Sequence, residues 1–329
     1  MQTRLNVEER EKVFYYLTLN KSYREIGSLL GRSHTTIIRE IKRNNKEGEY
    51  SPSRAEELSR RRYKRCGRRK KIDTNIDLFE EVFNKLFKKW SPEQISGHLR
   101  DKYNGNLQMQ ISHESIYKYI YAQPKGELKK HLLKYFRQKG RKNKNRKLSH
   151  EKRGQIPDAV SIHERPEEVE DRKVPGHWEG DLIMGKNHKT ALGTLVERTT
   201  RYVFIVPLKG KKAKDVREAF TEHFLDVPEK LKISLTYDRG KEMVQHKQLT
   251  EDTGIDVYFA DPHSPWQRGT NENTNGLIRD FFPKGTDFSK VSYEEVKHVQ
   301  DMLNERVRKT LKWKSPEYMF KKLIGAINP

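Results

Sequence analysis

The chain has 329 residues and a formal net charge of +22, with 35% charged and 33% hydrophobic residues. This length predicts two or more domains, and so large a basic excess predicts a polyanionic partner such as nucleic acid. The single cysteine, Cys66, excludes an internal disulfide and a cysteine-rich zinc site. The first residues lack the apolar core of a signal peptide, and no apolar run approaches the roughly 20 residues that span a bilayer. We therefore expect a protein of the reducing cytoplasm.

The first predicted domain, residues 1–48, is helical. Ser22 and Glu25 form a capping box that begins a short helix. Gly31 then supplies a tight turn, and Ser33 can cap a second, basic helix. This pattern favours a helix-turn-helix, whose second helix can enter the major groove, over an ordinary helical hairpin with a solvated face. The outward side chains predicted to contact DNA are Arg32, His34, Thr35, Arg39, Lys42 and Arg43.

The second segment, residues 49–90, is predicted to be a basic linker followed by a helix. Most residues of the run 60–71 are basic, which is typical of a solvated or phosphate-tracking linker with little fixed structure. Apolar residues then recur with helical spacing over 75–90, and this periodicity predicts an amphipathic helix.

The third segment, residues 91–150, repeats the first theme. Ser91 to Gln94 combines a serine cap, proline at the first helical position and glutamine at the third. Ser112 can cap a following helix, so we predict a second helix-turn-helix. The basic run at 137–147 resembles another linker. The outward side chains predicted to contact DNA are His113, Ser115 and Lys118.

The last predicted domain, residues 172–329, alternates strands and helices. Three strands joined by short turns are followed by helix, strand, helix, strand and two more helices. This element order predicts a ribonuclease H-like α/β fold. The expected strands lie near 177–184, 190–197, 201–207, 233–237 and 255–259, and the expected helices near 212–225, 242–252, 265–280 and 293–307.

Three acidic residues of this domain form a candidate metal site. Asp181 lies in the first predicted strand, Asp238 ends the fourth, and Glu272 lies in the helix that follows the fifth. Each alone is typical of a surface carboxylate or a helix cap. Together they can converge on two Mg²⁺ ions, with Mn²⁺ as a substitute, because bound cations offset the repulsion between carboxylates. Such a centre catalyses phosphoryl transfer.

The helix around Glu272 is predicted to carry further contacts. Ser264-Pro265-Trp266-Gln267 resembles a capping box, which places the helix start. Arg268, Glu272, Asn275 and Arg279 then recur at helical spacing and share one predicted face. We predict that Arg268 and Arg279 contact DNA phosphates, the alternative being an intrahelical ion-pair network.

Several neighbours of the acids are predicted to be structural. Trp178 and Trp266 are expected to pack, although Trp266 is also able to stack on a base. His177 is expected to be structural, and Glu179 to point to the strand face opposite Asp181. The candidate phosphate contacts nearby are Arg239 and Lys241.

The strongest family signal lies in the segments HWEGDLI, TYDRGKE and ADPHSPWQRGTNENTNGLIRDFFPKGTD, which closely resemble blocks of bacterial transposases of the insertion-sequence-thirty family. REIGSLLGRSHTTIIREIKRN, WSPEQISGHLR and ISHESIYKYIY also resemble that family, so the likeness covers nearly the whole chain. It implies a catalytic core in which Asp181, Asp238 and Glu272 bind the metal ions and Arg279 is the basic residue seven positions after the glutamate.

The resemblance also implies an activity and its partners. We expect binding to terminal inverted repeats, then metal-dependent strand cleavage and strand transfer. The expected partners are double-stranded DNA, as transposon ends and target, and further copies of the chain, at least a dimer on paired ends. We expect no membrane partner and a nucleoid-associated location in the bacterial cytoplasm. Two alternatives stay open: a DNA-binding regulator with an inactive core, and a ribonuclease H-like nuclease.

Overall fold

The computed structural model describes residues 4–45, 49–65, 70–124, 126, 130, 156–262 and 264–327. The chain forms two compact units, Met1–Thr74 and Asn75–Pro329. The predicted basic run at 137–147 lies outside the described residues, as does Cys66. Among the residues described, no helix combines the length and the apolar character needed to cross a membrane.

The first unit contains the predicted helix-turn-helix. Ser22 and Glu25 cap each other's main-chain N–H groups, and the Ser33 side chain accepts from the N–H of Thr35. Gly31 makes the turn with φ of +62°, a conformation that favours glycine. The apolar faces pack into one small core. The helices are α1 Val7–Thr18, α2 Tyr23–Leu29, α3 His34–Asn44, α4 Pro52–Arg65 and α5 Lys71–Thr74.

Helix α4 differs from the predicted linker. Its Ala55 is fully buried in the core of the first unit, and its Glu56 pairs with the buried Arg10 of α1. Burial of Ala55 and this ion pair hold the segment in a helix that its basic composition alone does not predict. Residues 60–65 of the predicted linker therefore belong to α4, and residues 66–69 lie outside the described residues.

The second unit begins with three more helices. The Ser91 and Gln94 capping box forms as predicted, and Ser112 accepts from the N–H of Ser115. The described part of the segment predicted as 91–150 belongs to the same compact unit as the residues that follow it. The helices are α6 Ile76–Phe87, α7 Pro92–Lys102 and α8 His113–Tyr121.

A C-terminal segment, residues 306–314, covers one side of α7. The Gln94 side chain donates to the main-chain oxygen of Val307 at 2.9 Å. Lys309 pairs with Glu93 at 2.8 Å, at one end of the contact. A Cβ added at Gly97 would overlap the Trp313 ring, so this position requires glycine. The close approach fixes α7 against the C-terminal segment.

One mixed sheet of five strands forms the centre of the second unit, in the order β3-β2-β1-β4-β5. β1 pairs antiparallel with β2, and β2 with β3, whereas β4 is parallel to β1 and β5 is parallel to β4. The predicted ribonuclease H-like element order is confirmed. The strands are β1 His177–Met184, β2 Ala191–Glu197, β3 Val203–Pro207, β4 Ser234–Tyr237 and β5 Asp256–Phe259.

Helices cover both faces of this sheet. Trp178 and Tyr237 point into one core, while Ile183 and Ile205 point into the other. Alternation along the strands produces this division, because successive side chains point to opposite faces. The last helix, α14, follows the predicted ones, and its Phe320 packs on the first core. The helices are α9 Glu168–Asp171, α10 Ala213–Leu225, α11 His246–Thr253, α12 Gly269–Ile278, α13 Tyr293–Glu305 and α14 Pro316–Ile327.

Candidate functional site

The register of two neighbouring strands brings Asp181 and Asp238 together. In the parallel pairing of β1 with β4, Glu179 lies opposite Thr236. Each aspartate lies two residues further along its own chain, so both fall on the same face at adjacent positions. The side chains retain 28% and 27% of their exposure. The sheet therefore presents two carboxylates side by side at a partly open surface.

The guanidinium of Arg268 lies between these carboxylates. Its Nη1 is 3.6 Å from Asp181 Oδ1, and its Nη2 is 3.4 Å from Asp238 Oδ2. Nη1 also donates to the main-chain oxygen of Gly180 at 2.9 Å. Arg268 was predicted to contact DNA, but here it engages the carboxylates. No local pattern in the sequence signals this contact, which depends on the tertiary approach of three elements.

Arg268 precedes the regular helix. It ends a 3-10 turn over Pro265–Arg268, and α12 begins at Gly269. Ser264 makes no side-chain cap to this turn, so the predicted capping box is wrong. The residues from Arg268 to Arg279 were predicted to share one face of a continuous helix. Because Arg268 lies before α12, this prediction does not hold for Arg268.

Asp181 has a well-defined set of donors. The Asn275 side chain donates to Asp181 Oδ2 at 2.8 Å, and the N–H of Leu182 donates to Oδ1 at 2.9 Å. Desolvation by the surrounding protein raises the pKa of Asp181; Arg268 opposes that rise and Asp238 adds to it. Helix α12 therefore positions one of the two carboxylates through Asn275.

Glu272 lies on the first turn of α12 and is exposed. Among the described residues, no group of three His, Cys, Asp or Glu side chains is placed to hold a metal ion. The two aspartates are thus brought together, and the addition of Glu272 to them stays a prediction. Its neighbour Asn271 is tightly held, because the Asn271 side chain donates to the main-chain oxygen of Glu179 at 2.8 Å.

Glu179 does not point away from Asp181 as predicted. Residues two apart in a strand share a face, and both side chains contact α12. Glu179 is fully buried, accepts from the N–H of Asn271 at 2.8 Å and lies 3.2 Å from Arg198 Nη1. This buried carboxylate anchors the start of the helix that carries Glu272. Strand alternation alone was sufficient to place it.

Other predicted neighbours divide between buried and exposed positions. Trp178 is fully buried, and His177 is buried with its Nδ1 2.8 Å from Ser234 Oγ. Burial is the main cause that lowers the pKa of His177. Trp266 is 73% exposed, so the predicted packing role is wrong. The predicted phosphate contacts Arg239 and Lys241 are exposed, and His263 lies outside the described residues.

Arg279 caps the end of α12. Its Nη2 donates to the main-chain oxygen of Met184 at 2.7 Å, which links the helix to the end of β1. The side chain is half-buried. Its role as a phosphate contact stays a prediction. The same residue also joins α12 to the sheet.

Helices α3 and α8 expose most of the side chains that were predicted to contact DNA. Arg32, which lies just before α3, is an exception, because its side chain pairs with Glu9 at 2.9 Å and is half-buried. This contact holds the pKa of Glu9 below its usual value. The exposed members are His34, Thr35, Arg39, Lys42 and Arg43 on α3, and His113, Ser115 and Lys118 on α8.

Comparison with known protein families matches two separate parts of the chain. Residues 2–44 match the helix-turn-helix domain family, and residues 171–265 match the integrase core domain family. The core match contains Asp181 and Asp238 and ends before Glu272.

Three relatives are similar over nearly their whole lengths. The chain is 44% identical to the transposase for insertion sequence element IS1086 of Cupriavidus metallidurans, over 95% of this chain and 92% of the relative. It is 41% identical to transposase InsI for IS30A of Escherichia coli, over 98% of this chain and 84% of the relative. It is 37% identical to the transposase for IS4351 of Bacteroides fragilis, over 99% and 98%.

Proposed function

The chain belongs to the IS30 family of transposases and is a DNA-binding polynucleotidyl transferase, and we propose that it cuts and joins insertion-sequence ends at Asp181, Asp238 and Glu272. The observation that carries this proposal is the pair of aspartates on neighbouring parallel strands, with a cationic guanidinium between them. Terminal inverted repeats would be the bound sites, and strand transfer would follow strand cleavage.

The carboxylate pair suits a divalent cation. Both side chains supply oxygen ligands and are partly open to solvent, and Arg268 offsets only part of their negative charge. Asp181 and Asp238 would hold Mg²⁺, or Mn²⁺ in its place, with Glu272 as the third ligand. Two such ions would supply electrostatic stabilisation of the attacking and leaving oxygens.

The residues around the pair position these ligands. Asn275 fixes one oxygen of Asp181, and the N–H of Gly240 donates to Asp238 Oδ1 at 3.1 Å. Glu179 and Asn271 hold the first turn of α12, from which Glu272 projects. Fixed ligands lower the cost of assembling the site when DNA binds.

DNA recognition is proposed for α3 and α8. Each helix exposes short polar and basic side chains, and the net charge of +22 favours the phosphate backbone. On paired ends we propose at least a dimer, because joining two transposon ends requires both to be held at once.

The Arg39→Gln variant is expected to bind an end DNA about tenfold more weakly, since one exposed recognition-helix contact contributes ~1–3 kcal/mol. Gel-shift titration at fixed salt measures the loss. Lys12→Gln removes the same charge from an exposed position of α1 and is the matched control. Equal losses in the two variants would show that α3 does not read the DNA.

A strand-transfer assay with pre-cut ends tests the activity. The full chain, Mg²⁺, a pre-cut inverted-repeat end and a plasmid target should yield covalently joined product. A simple nuclease would give only fragments, and a regulator would bind the end without changing it. Either of those results would refute the proposed function.

A further inference from the structure

Arg268 places its positive charge between the carboxylates of Asp181 and Asp238. Its two terminal nitrogens address different carboxylates, at 3.6 Å and 3.4 Å, and its side chain is only 15% exposed. Two carboxylates at adjacent positions repel each other. The planar fork of an arginine can bridge both and reduce their repulsion.

The residues on either side of Arg268 differ in how closely they are held. The Gln267 side chain accepts from the N–H of Asp261 at 2.8 Å and donates to Asp261 Oδ2 at 2.9 Å. On the other side, a Cβ added at Gly269 meets no atom of the described residues within 4 Å. The residue before Arg268 is therefore tied down, whereas the residue after it has open space at its own Cβ position.

We propose that Arg268 is an internal counter-cation of the carboxylate pair, displaced by the divalent cation and then free to contact a DNA phosphate. The inference rests on the proposed function of Asp181 and Asp238. A guanidinium and a metal ion compete for the same oxygens and repel each other, so both cannot hold the pair. The arginine keeps the metal-free site assembled, and metal binding releases it toward the polyanionic substrate.

This exchange orders the binding events. Before the cation arrives, Arg268 is engaged with Asp181 and Asp238 and contributes nothing to DNA affinity. Afterwards it adds one phosphate contact close to the reacting strand. The site thereby couples metal loading to DNA binding without a change in the fold.

Calorimetric titration of Mn²⁺ into the full chain tests the competition directly. We expect Arg268→Gln to bind Mn²⁺ about tenfold more tightly than the parent. A factor of about ten corresponds to a parent in which about one molecule in ten has its carboxylate pair free of Arg268. Arg268→Lys keeps the charge but loses the fork, and should fall between them. Lys230→Gln removes the same charge from an exposed position of the second unit outside the proposed site and should stay within about twofold of the parent.

Thermal unfolding shows whether the variants remain folded. In EDTA, Arg268→Gln should unfold at a lower temperature than the parent, and Mn²⁺ should restore it by a larger shift. Unchanged or weaker Mn²⁺ binding by folded Arg268→Gln would overturn the counter-cation role. Mn²⁺ binding that survives Asp238→Asn would instead overturn the proposed metal site, so the two failures are distinguishable.

The salt dependence of end binding tests the release. For the parent, replacing EDTA with Ca²⁺ should steepen the slope of log affinity against log salt by about 0.9 relative to Arg268→Gln, the value for one phosphate contact on duplex DNA. Lys230→Gln, which removes an exposed charge outside the predicted DNA contacts, corrects for the effect of Ca²⁺ on the DNA itself. Equal changes of slope in the parent and Arg268→Gln would show that the arginine is not released to the phosphate.

Discussion

Asp238→Asn is expected to lower strand cleavage and strand transfer by about 10³-fold while leaving end-DNA affinity within about twofold. Loss of one carboxylate weakens the hold on the cations, and such cations supply several kcal/mol of charge stabilisation in the transition state. A loss of ~4 kcal/mol corresponds to about 10³ in rate. DNA affinity measured in EDTA is preserved because α3 and α8 are unchanged.

Cleavage of a labelled end and gel-shift binding of the same end measure the two effects separately. Asp256→Asn is the matched control, since this exposed aspartate begins β5, whereas Asp238 follows the last residue of β4. Parent-like cleavage by Asp238→Asn would refute the assigned site. A regulator with an inactive core would show no cleavage in the parent either.

Glu179→Gln is expected to destabilise the second unit by about 3 kcal/mol. Arg198 is 2% exposed on its side chain and lies 3.2 Å from Glu179, so loss of the carboxylate leaves a buried positive charge poorly compensated. Removal of one partner of a buried pair typically costs ~3–5 kcal/mol, and the partly exposed Glu170 at 3.8 Å places this case at the lower end.

Urea unfolding followed by tryptophan fluorescence measures this effect in the second unit alone, because all four tryptophans lie after residue 74. Glu218→Gln removes a carboxylate from an exposed pair with Lys214 and should change stability by less than about 0.5 kcal/mol. The double variant Glu179→Gln with Arg198→Met should recover at least half of the loss. An unchanged midpoint for Glu179→Gln would show that the pair is not structural.

Cleavage should also fall in Glu179→Gln under conditions where it remains folded. Glu179 holds the N–H of Asn271, the residue just before Glu272. A looser first turn of α12 would displace the proposed third ligand while leaving Asp181 and Asp238 on their strands.

The features predicted well from the sequence are those with local causes. The capping boxes at Ser22 and Ser91 form because donors and acceptors three residues apart satisfy each other. The aspartates fall together because strand order and alternation determine their places. These causes act within one segment or between neighbouring strands. The spacing of apolar residues and the turn residues are therefore sufficient to predict their effects.

The features missed from the sequence depend on distant partners. Arg268 meets Asp181 and Asp238 only after three elements have packed, and nothing in its own segment signals that approach. Helix α4 is stabilised by packing in the core of the first unit, and its basic composition does not predict that packing. Trp266 is exposed because the 3-10 turn, rather than a capped α-helix, begins at Pro265.

The glycine contact between Gly97 and Trp313 has a consequence for the substrate. Since α8 packs on α7, and the C-terminal segment holds α7, we expect the protein to set the spacing between the bases at the proposed DNA-binding helix α8 and the phosphodiester at the proposed catalytic site. Adding one base pair between these points rotates the duplex by about one-tenth of a turn. A protein that holds the two sites at a fixed distance and orientation cannot follow this rotation. We therefore expect the transposon end to have a fixed internal length.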